Sequence, residues 1–158
     1  MKKIFLSLVV FCSVNLCFGQ SSLISYDDIT YLLHNNINKA DTFFMSKGFT
    51  MVKKDVKKKT RKYGLSLPGH TYINIDLRTD GKRLFIDMET NEPQQYNLIY
   101  NSISQYINKE GNIADVQSFT VKDLGNIYIT INDTMPYDPL KRLYDIHIIS
   151  DKGITAYN

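Results

Sequence analysis

Cysteine is nearly missing from this chain of 158 residues: only Cys12 and Cys17 occur, and tryptophan is absent altogether. Proline is confined to four positions and histidine to three. No apolar run reaches the roughly 20 residues that a helix needs to cross a bilayer. The chain has no Gly-x-Ser-x-Gly elbow, no phosphate-binding glycine loop ending in Lys-Ser/Thr and no His-Glu-x-x-His. Three common hydrolytic and nucleotide-binding chemistries therefore have no motif to rest on.

The longest apolar run lies at the start. Lys2 and Lys3 precede Ile4–Val14, which is interrupted only by Ser7 and Ser13, and a more polar stretch follows from Asn15 to Gly19. This order of charged, apolar and small-residue zones is that of a secretory signal peptide. Cleavage is expected after Gly19, so that residues 1–19 are the leader and 20–158 a single domain. The run is about half the length of a membrane span, so no transmembrane anchor is expected after cleavage. Lipidation at Cys17 is disfavoured by Leu16, where the lipoprotein peptidase takes a small residue. A leader ending Phe-Gly-Gln resembles those of exported proteins of the Bacteroidota, and a chain rich in Ile, Asn, Lys and Tyr suggests an AT-rich genome. Because the leader takes both cysteines with it, residues 20–158 hold no thiol, disulfide or cysteine metal ligand. In an oxidising compartment such a domain depends on its hydrophobic core, and its length suffices to form one.

Past the leader, helix and strand periodicities alternate. Ser25 with Asp27 and Asp28 has the chemistry of a helix start, a hydroxyl N-cap followed by carboxylates where the helix dipole favours them. Ile29, Leu33, Ile37, Ala40 and Phe44 follow at spacings of three and four, and Lys47-Gly48 supplies a stop. This predicts one helix of about six turns. Phe49–Lys58 is expected as an edge strand, given its lysines. Thr71, Ile73, Ile75 and Leu77 then alternate with polar residues up to Asp80-Gly81, a favoured hairpin dipeptide. Pairing Thr79 with Lys82 sets Leu77 opposite Leu84, Ile75 opposite Ile86 and Ile73 opposite Met88, all on one face. Thr90-Asn91-Glu92-Pro93 opens a second helix with a stripe of Tyr96, Ile99, Ile103 and Tyr106-Ile107, closed by Gly111. Further strands are expected at 117–121, 127–131, 143–150 and, briefly, 154–157.

The expected fold class is therefore α+β: two helices packed on one face of an antiparallel sheet, in the order α-β-β-β-α-β-β-β(-β). That order fits a divergent duplication of an αβββ unit. In architecture it resembles exported interaction modules such as the β-lactamase-inhibitor proteins and the small lipoproteins of outer-membrane assembly. No motif carries this resemblance, and it implies no site residues.

Charge is the most uneven feature. Apart from Lys2 and Lys3, the chain has 17 basic and 16 acidic residues. Seven of those cations (Lys53, Lys54, Lys57, Lys58, Lys59, Arg61 and Lys62) fall in one decapeptide with a single anion, Asp55. The rest of the domain is mildly acidic. Such a segment creates a local positive field that recruits polyanions, although lysines on an edge strand also guard against aggregation.

Other candidates are sparser. His34 lies in the first helix and His70 before a strand. Asp145 and His147 sit two apart on a strand and so share a face, which makes them the best acid/base pair. Asp76 and Asp87 are expected on the exposed side of the hairpin, two positions out of register and balanced by Arg78 and Arg83. Tyr72, Phe85 and Tyr128, joined by Tyr144, are read as an aromatic surface on the sheet face opposite the isoleucines. Asp133-Thr134-Met135 resembles an O-glycosylation acceptor at Thr134, and Asn132 begins an N-glycosylation sequon.

Three functions follow as expectations. The leading one is an exported, periplasmic or secreted, non-enzymatic module that binds an envelope or extracellular protein. The alternatives are a small envelope enzyme using Asp145 and His147, and a module docking on anionic envelope polymer or lipid through residues 53–62. No cofactor, metal or nucleic-acid partner is expected.

Overall fold

The computed structural model describes residues 22–81, 83–108, 115–122, 124–133 and 142–150. The leader, Gly111, Thr134 and the 154–157 strand lie outside them. Helices α1 (Tyr26–Leu33) and α2 (Ile37–Ser46) precede β1 (Thr50–Asp55), β2 (Thr60–Leu67), β3 (Thr71–Thr79) and β4 (Leu84–Thr90). Helix α3 (Pro93–Ile103) then leads to β5 (Val116–Val121), β6 (Gly125–Asp133) and β7 (Arg142–Ser150). The strands join in one antiparallel sheet of order β1-β2-β3-β4-β7-β6-β5. The class is α+β, with the helices on one face. Among the described residues no helix is long and apolar enough to cross a membrane.

The expected six-turn helix is two helices. Ser25 and Asp28 form a reciprocal capping box at the start of α1. At its end the His34 ring and the Asn35 side chain turn back onto the carbonyls of Thr30 and Tyr31, both at 2.7 Å. Asn36 then caps α2 by accepting the amides of Asn38 and Lys39 at 3.1 Å. The apolar stripe continues across this break, so periodicity alone does not reveal it.

The region expected as one edge strand is a hairpin, and β2 is an additional strand. Asp55 accepts the Lys58 amide at 2.9 Å, and Lys59 takes a φ of +51°. The turn therefore carries no glycine to announce it. On β2, Arg61, Tyr63 and Leu65 point inward, and an arginine at the first inward position hides the alternation. Arg61 is 4% exposed and lies 3.3 Å from Asp41 on α2. Asp41 also receives Lys54 at 2.7 Å and the Tyr63 hydroxyl at 2.5 Å. Burial alone would raise the Asp41 pKa, but hydrogen bonds from Lys54 and Tyr63 and the charge of Arg61 outweigh it and hold it below the ordinary range. Burial and the same hydrogen bond push the Tyr63 phenol upward.

The β3–β4 register differs by two residues from expectation. Thr79 pairs with Leu84, Leu77 with Ile86, and Ile75 with Met88. Asp80 and Arg83 face each other across the turn, with Asp80 donating its amide to the Arg83 carbonyl and Gly81 at a φ of +86°. A positive φ at the first central position is common to the two turn types that two-residue hairpins favour.

The core lies between helices and sheet. Phe44 stacks on Tyr63 at 4.4 Å, joining α2 to β2, and Tyr96 stacks on Tyr144 at 4.4 Å, joining α3 to β7. Ile73, Ile75, Leu77, Ile86, Met88, Ile127, Ile129, Ile146 and Ile148 supply the sheet side. Tyr144 thus belongs to the inner face, in phase with Ile146 and Ile148, and not to the outer aromatic surface. Helix α3 crosses from central β4 to the far edge at β5, and the chain returns through β6 to place β7 beside β4.

Candidate functional site

Among the described residues no helix packs on the outer face of the sheet. Cross-strand pairing arranges its side chains in rows, because directly opposed residues project to the same side. The central row runs Lys62, Asp76, Asp87, His147, Tyr128 and Ser118 across β2, β3, β4, β7, β6 and β5. Toward one end lies the row Thr60, Arg78, Phe85, Ile149, Asn126. Toward the other lies Gly64, Asn74, Glu89, Asp145, Thr130, with Tyr72 beyond.

In the central row Asp76 and Asp87 are directly opposite each other, a consequence of the two-residue change in register. Each turns to its other neighbour: Asp76 pairs with Lys62, and Asp87 pairs with the Nδ1 side of His147. His147 therefore meets Asp87 and not Asp145. Asp145 accepts the Asn132 amide at 2.8 Å and stands opposite Glu89. Partial burial, then the negative charge of Glu89, raises the Asp145 pKa, with His147 opposing. Burial and Glu89 likewise raise the Tyr72 phenol. The two residues expected to act as an acid/base dyad share a face, but each has its own partner.

Two open depressions meet along the central row. One, of about 410 Å³, is walled by Thr60, Lys62, Arg78, Phe85, His147 and Ile149. The other, of about 360 Å³, is walled by Val52, Lys62, Asn74, Glu89, Asp145 and His147. A bulge in β1 between Met51 and Lys53 brings Val52 to this face, close over Gly64. Among the described residues no group of three or more His, Cys, Asp or Glu side chains is placed to hold a metal ion.

The basic segment divides. Lys54 and Arg61 turn to Asp41, and Lys62 joins the central row with Lys53 as its cross-strand neighbour on β1. Lys57, Lys58 and Lys59 stand exposed at the hairpin tip. Tyr72, Phe85 and Tyr128 are all half-buried on the outer face, but in three different rows. In the sequence Arg78 reads only as a charge balance, and nothing marks Ile149 as part of a surface. Their strand phase was readable, but their position on either side of Phe85 follows from the pairing of β3, β4 and β7. No protein-family model matches the chain, and comparisons with curated proteins and with solved structures return no significant match.

Proposed function

We propose that this protein is an exported, non-enzymatic module that binds another macromolecule through the outer face of its sheet. The observation carrying this reading is the composition of that face. Half-buried Tyr72, Phe85, Tyr128 and Ile149 are interleaved with charged rows over two confluent depressions, a mixture typical of recognition surfaces. Export rests on the leader in the sequence. The catalytic alternative has less support, because Asp145 and His147 do not pair with each other: His147 is engaged by Asp87 and Asp145 by Asn132.

Site-specific photo-crosslinking in the native cell envelope tests the reading. A benzophenone side chain replacing Tyr128 or Asn74 is expected to capture a discrete macromolecular adduct, and one replacing exposed Asn97 on α3 is not. Capture of the same species from both faces, or from neither, would contradict it.

A further inference from the structure

The fold gathers cations at one end of the outer face. Thr60 pairs with Arg78, and the Thr79 amide donates to the Lys59 carbonyl at 3.4 Å, so the Lys57–Lys59 tip lies beside Arg78. The Arg78 guanidinium sits 4.7 Å from the centre of the Phe85 ring, and that of Arg83 sits 5.2 Å from it. Arg83 is held by Asp80 at 3.1 Å. Among the described residues, Arg78, Lys57, Lys58 and Lys59 make no ion pair. Phe85 and its cross-strand neighbour Ile149 form an apolar shelf in the 410 Å³ depression beside these charges, and the two carboxylates that also line it, Asp76 and Asp87, are paired with Lys62 and His147.

We propose that this end docks an acidic peptide segment of a partner protein, with a large apolar side chain on the Phe85–Ile149 shelf and carboxylates on Arg78 and the lysine tip. The assignment rests on the macromolecule-binding reading and names the chemistry of the partner. An arginine stacked on an aromatic ring keeps its N–H edge free, and that edge takes a carboxylate in bidentate fashion. Arginine beside an aromatic in a depression is also the composition of interface hot spots. From the β1–β2 turn to β3 these cations span at most two strand spacings, roughly 10 Å, so the complementary segment carries more than one negative charge. Glu89 and Asp145 at the opposite end of the same face repel such a segment and direct it here. A lipid surface does not enter a depression, and an anionic polysaccharide has no large apolar side chain to insert between Phe85 and Ile149.

Panning a displayed library of random linear peptides on the purified chain lacking its leader tests this. Enriched peptides are expected to place Asp or Glu around Leu, Ile or Phe. Their affinity should fall about tenfold or more in Arg78→Gln and in Phe85→Ala, hold in Lys39→Gln on the helix side, and weaken with salt. The assignment is overturned by no enrichment, by enriched peptides that bind Arg78→Gln as well as the parent, or by tighter binding to phosphatidylglycerol vesicles or polygalacturonate that the same variants abolish. Outer-face crosslinks that persist undiminished in Arg78→Gln would also remove it, while leaving the binding face itself in place.

Discussion

At the scale of single residues, the most consequential side chain is one with no charge. Gln95 on α3 is fully buried, accepting the Ile24 amide at 2.7 Å and donating to the Ile24 carbonyl at 2.8 Å. It serves the incoming chain as a neighbouring strand would. Gln95→Leu keeps the volume but orphans two buried backbone groups, and should cost about 2–4 kcal/mol in urea denaturation. The spacing of four to Ile99 places Gln95 on the buried stripe, so its burial was legible; its partner, 71 positions away, was not. Asp145 makes the opposite case. Its folded pKa is raised, so its contribution is fully favourable below the ordinary value of 3.8 and is lost as pH rises through the folded value. Asp145→Asn should therefore be more stable than the parent near neutral pH, with the advantage vanishing below about 3.8, as urea midpoints at the two pH values would show. Stability given up at a half-buried carboxylate is a common property of binding surfaces.

At the scale of elements, hydrophobic alternation fixes the parity of strand pairing and leaves its register open. Moving β4 by two residues along β3 keeps every isoleucine on the inner face, so the apolar pattern fits both arrangements equally. The turn decides between them: Gly81 takes a positive φ but Asp80 does not, so the type I′ turn that Asp80-Gly81 would make in the alternative register is not formed. The absence of cysteine from residues 20–158 allows a direct check. Asn74→Cys with Glu89→Cys should close a disulfide on mild oxidation, because these residues are directly opposed. Asn74→Cys with Asp87→Cys, opposed only in the alternative register, should keep both thiols free. The break between α1 and α2 has a similar origin. Asn36 competes for backbone amides that a continuous helix would have used, and such competition is local chemistry that stripe counting ignores. Asn36→Ala should destabilise by about 1 kcal/mol, while Asn36→Asp, which keeps the acceptor, should not.

At the scale of the whole molecule, two meanders meet at β4 and β7, and the strand order β2-β3-β4-β7-β6-β5 reads symmetrically about that pair. This arrangement is what a duplicated αβββ unit would leave, with β1 added at one edge. Because each meander takes a hydrogen-bonded neighbour from the other, the two halves should unfold together. In native-state hydrogen exchange the amides of Ile86, Met88, Ile146 and Ile148 should share the slowest rate, with β1 exchanging much faster. Separate protection of β5–β7 would show instead that the halves open independently. The sequence by itself determined the α+β class, the faces on which the strand isoleucines, Tyr72 and Tyr128 fall, and the capped start of the first helix. Each of these depends only on neighbours along the chain. Only the tertiary structure decided that Asp87 rather than Asp145 meets His147, that Asp41 draws two of the seven clustered cations inward, and that Arg78 joins the lysine tip over Phe85. Those partners come from different strands, and their meeting depends on register and on sheet order, which periodicity does not encode.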